Sequence, residues 1–309
     1  MPIAQTDFTL TAKINAPADR AFELIADPAQ GPRFFPTVVH ADRTEQNGDE
    51  DVVRRWVLAG EQVRCWRSRR RLDRGAGRIA FTHLEPAGPV RSLSGEWTFK
   101  DEGDGNTLVE LRHTIETEGG ESALQEVVTA TRTGAEGQLS RLTEVAEQYD
   151  ILVGLEASYE ASLVIKGSLA DVYGYFEDSE RWPERIPHCL SVTRSDPAPD
   201  VQIVEMDVRV PSGAIHTTKQ VRVCLPGDRI VWRQLGGLPP LDQALYGYTS
   251  FTETPEGVLA RAGQTELLKP LAVAKRGWSV GEAREHVAEV RGARNLDALR
   301  SVQEYLDRR

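Results

Sequence analysis

The chain repeats itself at the scale of a whole domain, and that repeat limits its possible folds more than any single motif does. Sliding residues 1–150 against 151–309 by 151 positions sets Phe22 on Tyr173, Asp27 on Asp178 and Pro36 on Pro187. Arg71 then falls on Arg222, and Arg78-Ile79-Ala80-Phe81 on Arg229-Ile230-Val231-Trp232. One inserted residue later, Gly95-Glu96-Trp97-Thr98-Phe99 meets Gly247-Tyr248-Thr249-Ser250-Phe251. So long a period exceeds a solenoid unit and reads as two copies of one fold, residues 1–150 and 151–309. A chain of 309 residues has room for two such cores.

Each half runs through the same order of patterns. Residues 7–14 alternate as a strand, and Ala16-Pro17-Ala18-Asp19-Arg20 opens a short helix that stops near Asp27-Pro28. In the second half the strand covers 158–166 and Ser168 caps the helix, with Asp171 three residues on. Strands of alternating polarity then follow, separated by Gly- and Asp-rich turns, which predicts an antiparallel sheet with one wet face. Each half closes on a long amphipathic helix. The first carries Leu124, Leu139, Leu142 and Val145 and is expected to break near Gly134 and Gly137; the second carries Val287, Leu299 and Val302. The fold class is therefore α+β, each curved sheet wrapping a long C-terminal helix and enclosing a pocket.

Charge and cysteine content remove several function classes. A net charge of −10 disfavours nucleic acid as a partner. Three scattered cysteines make no disulfide framework, and no apolar run approaches a membrane span, so a cytoplasmic protein without a membrane partner is expected. The six histidines lack metal-ligand spacing, and GxSxG, P-loop and GxGxxG motifs are missing. No metal, cofactor or covalent nucleophile is implied.

Strand alternation sorts side chains by face. In 61–73, Arg67, Arg69 and Arg71 share one face, most cheaply solvated, which turns Arg64, Trp66, Ser68, Arg70 and Leu72 inward. An inward arginine needs a carboxylate, water or a polar ligand, because an unpaired buried charge costs several kcal/mol. Arg70 is the sharpest candidate; the bland alternative pairs it with Glu85. The same alternation turns Phe81 and His83, then Trp97, then His113 inward. Imidazoles suit proton transfer near neutral pH. In the second half the equivalent inward set is Ile215, Thr217, Lys219 and Val221, then Trp232, Gln234 and Gln264. On that reading Arg70 becomes Val221, His83 becomes Gln234 and His113 becomes Gln264, leaving a more neutral pocket with Trp182 at its rim. Phe35 is a further candidate wall in the first.

Three stretches carry a family resemblance: Trp66-Arg67-Ser68-Arg69-Arg70-Arg71-Leu72-Asp73, Glu85-Pro86-Ala87-Gly88-Pro89 and Gly95-Glu96-Trp97-Thr98-Phe99. In the second half Asp178-Ser179-Glu180-Arg181-Trp182-Pro183 and Arg261-Ala262-Gly263-Gln264 join them. Their order resembles the START-like helix-grip fold and, within it, the aromatase/cyclases of bacterial type II polyketide synthases. Nearly the whole chain takes part, with two domains in tandem as in the di-domain subclass. The resemblance implies cyclisation and aromatisation of a poly-β-ketone tethered to an acyl carrier protein, beside other synthase subunits, with first-ring closure between carbons 7 and 12. It places Arg70 where relatives have a key pocket arginine, and His113 and Gln264 where they have a pocket His or Gln. His83 stands where some have a second arginine. Arg70 would stabilise enolate and alkoxide, His113 and His83 would move protons, and Trp66 and Trp97 would flank the product ring. Arg54, Arg55, Arg67, Arg69, Arg71 and Arg74 form a basic patch, either a docking face for the carrier protein or a solvated strand face. The rival reading is a START-like protein that binds or transfers an apolar small molecule. The second copy is alternatively a structural partner or a route to a homodimer.

Overall fold

The alternating segments of each half pair into one seven-stranded antiparallel sheet. The computed structural model of the chain describes residues 2–60, 62–210 and 213–308. In the first half β1 (Ile3–Ile14) precedes two short helices, α1 (Ala18–Ala26) and α2 (Gln30–Phe34). Six strands follow: β2 (Val38–Asn47), β3 (Glu50–Ala59), β4 (Gln62–Asp73), β5 (Arg78–Leu84), β6 (Val90–Gly103) and β7 (Asn106–Glu118). The sheet order is β1-β7-β6-β5-β4-β3-β2, and α3 (Gly120–Glu147) closes the half.

After α4 (Tyr149–Gly154) the pattern recurs with β8 (Glu156–Ile165), α5 (Leu169–Glu177), α6 (Trp182–Arg185), β9 (Cys189–Ala198) and β10 (Val201–Arg209). It continues with β11 (Ile215–Leu225), β12 (Arg229–Gly236), β13 (Asp242–Thr254), β14 (Gly257–Leu268), α7 (Pro270–Lys275) and α8 (Val280–Asp307). The chain divides into two compact units, Met1–Tyr149 and Asp150–Arg309. No helix among the described residues is long and apolar enough to cross a membrane.

Local signals explain the helix ends. Ser168 accepts a hydrogen bond from the Asp171 amide, and Ser279 with Glu282 forms a full capping box at the start of α8. The expected break at Gly134 and Gly137 does not occur, since α3 is continuous over both. Each exposed glycine costs about 1 kcal/mol against alanine. The buried stripe of Leu124, Leu139, Leu142 and Val145 outweighs that, at about 1.5–3 kcal/mol per side chain. Leu124 packs with Phe8, Leu93 and Ile115, so α3 seals one end of the concave face. Leu299 and Val302 do the same against Ile165, Ile230 and Phe251 in the second half.

The repeat slips by one residue in a single strand. Asp51 faces Arg70 across β3 and β4, and Arg70 faces Phe81 across β5. In the second half Gln202 faces Arg222, and Arg222 faces Trp232. Arg222, not Val221, is therefore the counterpart of Arg70. The turn Arg74–Gly77 is one residue longer than Pro226–Asp228, so β4 and β11 match at a different offset from their neighbours. A one-residue slip exchanges the two faces of a strand. Lys219, Thr217 and Val221 accordingly lie on the face opposite the one expected, and Thr218, Gln220 and Arg222 point inward with the core residue Cys224.

Candidate active site

Arg70 is 2% exposed, and four of the five N–H donors of its guanidinium hold the fold together. Nε and Nη2 donate to the two Asp51 carboxylate oxygens at 2.8 and 2.6 Å. Nη1 donates to the Ile25 carbonyl at 2.9 Å and Nη2 to the Ala26 carbonyl at 2.8 Å. A bidentate charged pair thus ties β3 and β4 to the C-terminal end of α1, where unpaired carbonyls favour a cation. The expected partner Glu85 is instead exposed and pairs with Arg67 at 3.3 Å. Arg222 repeats the clamp, donating to Gln202 at 2.6 Å and to the Phe176 carbonyl at 2.5 Å. Occurrence in both halves marks a device of the fold. On this geometry Arg70 has a structural role, with four of its five N–H donors bound to Asp51 and to the end of α1.

A row of aromatic rings lies further along β4 and β5. Trp66 stacks on His83 with ring centroids 5.7 Å apart, and Phe81 touches His83 at 6.1 Å and His113 at 5.4 Å. His113 in turn stacks on Phe8 at 5.1 Å, and Arg132 from α3 sits 4.4 Å over the Phe8 ring. Five rings from β4, β5, β7 and β1 thus form one continuous row. Gly95 on β6 makes the row possible: a Cβ there would lie 2.5 Å from Phe81 Cζ, so only glycine lets Phe81 reach across to His113. Gly247 gives the same clearance to Trp232.

The environment sets the protonation of this row. Burial, reinforced by the His113 and Arg55 charges, pushes His83 down to about 4, and burial lowers His113 to about 4. Both imidazoles are neutral at pH 7, each with one N–H and one lone pair. His113 Nδ1 is buried without a hydrogen-bond partner among the described residues.

Other expected residues divide between wall and core. Ser68 is buried opposite His83, inside the row. Arg64 is exposed near the start of β4. Trp97 is 4% exposed and stacks on Phe99, which packs edge-on to Phe22 of α1, within the core. Phe35 is likewise buried where α2 turns into β2.

The basic patch is smaller than its sequence suggests. Arg67 pairs with Glu45 and Glu85, Arg54 pairs with Asp42 and covers Trp56, and Arg74 pairs with Glu23. Arg55 leaves the patch altogether. It lies on the face of Asp51 and Val53, opposite Trp66, and points into the concave side. Alternation alone could not place it, because both faces of β3 carry arginine and apolar residues. The hairpin register, with Ala59 facing Gln62, sets Arg55 opposite Trp66.

In the second half the corresponding space is filled. Trp182 packs against Cys189, Val204 and Met206, with Arg222 4.7 Å beneath its ring. Its counterpart in the first half is Gly31, and the counterpart of Arg55 is Met206. Gln234 is tied to the Gly236 and Gly237 carbonyls at 3.0 and 2.6 Å, and Trp232 lies over Gly247.

The second half is also not neutral. Gln264 and the Tyr159 hydroxyl donate to Glu266, which pairs with Arg291 at 3.0 Å beside the fully buried Asp242. Burial and the Glu266 charge push Asp242 up to about 8, against the pull of Arg291 and Lys269. The folded state thus keeps a proton that the unfolded chain releases near pH ~4. Stability of the second half should be greatest at acidic pH and decline as pH rises towards 8. Asp242→Asn should flatten that decline in thermal melts between pH 5 and 8; an unchanged slope would show that another group carries it.

Comparison with known proteins agrees with this architecture. A family model described as polyketide cyclase/dehydrase and lipid transport matches residues 5–147, and another of the same description matches 165–289. The granaticin polyketide synthase bifunctional cyclase/dehydratase of Streptomyces virginiae is 31% identical over 283 residues, covering 89% of this chain and 91% of that protein. The actinorhodin polyketide synthase bifunctional cyclase/dehydratase of Streptomyces coelicolor is 31% identical over 304 residues, covering 94% and 93%. The crystal structure of the di-domain ARO/CYC StfQ, from the steffimycin biosynthetic pathway, superposes with a TM-score of 0.86 at 32% identity, covering 97% of this chain and 98% of that one.

Proposed function

Because the chain belongs to the polyketide cyclase/dehydrase family and is a bifunctional cyclase and dehydratase of polyketide synthesis, we propose that its first half closes and aromatises the first ring of a carrier-protein-bound poly-β-ketone, between carbons 7 and 12. The observation that carries this reading is the row Trp66–His83–Phe81–His113–Phe8: contacting aromatic rings with two neutral imidazoles set among them. Stacking on the wall holds a folded chain with one methylene near one ketone, which converts ring closure into a proximity problem.

The imidazoles supply the proton traffic. A neutral imidazole takes a proton from a methylene acidified by two flanking carbonyls. The imidazolium so formed, with a pKa near 4, is a strong acid and returns the proton to the new alkoxide. In the dehydration step one imidazole takes the next methylene proton and passes it to the departing hydroxyl, which leaves as water. The His113 charge disfavours a charged His83, so only one of the two is an imidazolium at a time.

The test is to give each imidazole the amide that the second half has at that place. His83→Gln combined with His113→Gln should retain the fold and the stacking wall. Beside a minimal synthase and its carrier protein, the aromatised product should fall about 10²-fold or more, with uncyclised shunt products in its place. An unchanged product profile would remove the proton-transfer role and favour carriage of an apolar ligand.

A further inference from the structure

We propose that Arg55, rather than Arg70, is the cation that holds the reacting 1,3-dicarbonyl unit as its planar enolate. The proposal deepens the reading that the first half is the cyclisation chamber, and it rests on that reading. Among the described residues, no hydrogen bond or ion pair reaches the Arg55 guanidinium. The carboxylate nearest in register, Asp51, is already taken by Arg70 on both oxygens and by Arg43 Nε at 3.0 Å. Arg55 is half-buried, faces Trp66 across the hairpin and lies close enough to His83 to lower that imidazole's affinity for a proton. Burial, with Arg70 adding to it and Asp51 opposing, lowers Arg55 to about 10, which still leaves it cationic at pH 7.

A desolvated cation without a partner costs the fold free energy unless a ligand completes it. The repeat supplies the control: the second half has Met206 at this position and fills the space above it with Trp182. The first half keeps an arginine there and has Gly31 where the second half has Trp182. A guanidinium presents parallel N–H donors, which fit the two oxygens of a 1,3-diketone enolate as they fit a carboxylate. The step balances on residues already described. His83 takes the methylene proton, Arg55 holds the two enolate oxygens, and the enolate carbon forms the new bond to a distant ketone. The resulting alkoxide then takes the proton back from His83.

The probe is 1-phenylbutane-1,3-dione, whose enolate has its own ultraviolet band. With the full chain, that band should appear at a pH about one unit lower than for the free diketone, a tenfold gain in ionisation. Arg55→Met should abolish the shift and lower kcat for cyclisation roughly 10²–10³-fold, with a smaller change in KM. Its melting temperature should be unchanged or higher, since an unpaired charge is removed. Arg55→Lys, which keeps the charge and loses the fork, should fall between the two. The proposal is overturned if Arg55→Met keeps the enolate shift, or if it melts several degrees lower and so shows Arg55 to be structural. Should Arg55→Met cyclise normally while the double histidine variant is inactive, Arg55 is excluded and the chamber stands. If both cyclise normally, the chamber itself is wrongly assigned.

Discussion

Arg70→Met should leave the first half unable to fold stably, not merely inactive. The substitution strands Asp51, 5% exposed, with only the partly exposed Arg43 beside it, and frees two carbonyls at the end of α1. Breaking a buried pair from one side costs about 3–5 kcal/mol, a large share of the roughly 5–15 kcal/mol that a domain has. Denaturant melts should therefore show the first half unfolding at much lower urea than the second, whose Arg222–Gln202 clamp is untouched. Two further variants separate charge from packing. Asp51→Gln installs the second half's own partner and should cost far less. Arg70→Met with Asp51→Leu replaces both charges by apolar groups and should recover much of the loss. A folded Arg70→Met protein with wild-type stability that is inactive in cyclisation would reverse the assignment and return Arg70 to the chemistry.

Gly31→Trp should close the first half to ligand while leaving it folded. The second half shows that an indole fits at this place when Cys189 lies beneath it. In the first half Val38 Cγ1 stands 3.0 Å from where a Gly31 Cβ would lie, so the indole needs Val38→Cys as well. The double variant should melt near the wild type, because it reproduces a packing the chain already uses. Its activity should fall by about 10²-fold or more, since a ligand displaced by even an ångström loses that much. Wild-type turnover with the same product would mean that the ring closes somewhere other than beneath α2.

Much of the first half could be read directly from its residues. Arg67, Arg69 and Arg71 on one face of a strand leave few options for the other face. From there His83, Phe81 and His113 follow by alternation, and the structure sets them in one row. The second half misled because it was matched by sliding. A turn shorter by one residue moved Arg222 into the place assigned to Val221, and with period two the whole strand changed faces. The buried Asp242 and Glu266 escaped notice for a different reason. Each reads as an ordinary polar residue near a strand end, and only the packing of Leu241, Leu268 and α8 encloses them.

The sequence by itself determined the duplication, the order of strands and helices and, of the aromatic row of the first half, Trp66, Phe81, His83 and His113. These depend on periodicities of two and 3.6 residues, which neighbours along the chain express locally. Only the tertiary structure decided which arginine is paired with a carboxylate and which, among the described residues, is not. Whether a buried cation has a partner depends on the residue that faces it from another strand or from a helix end. Arg70 finds Asp51 and the carbonyls of α1, while Arg55, four residues beyond Asp51 on the same face, faces Trp66 across the hairpin.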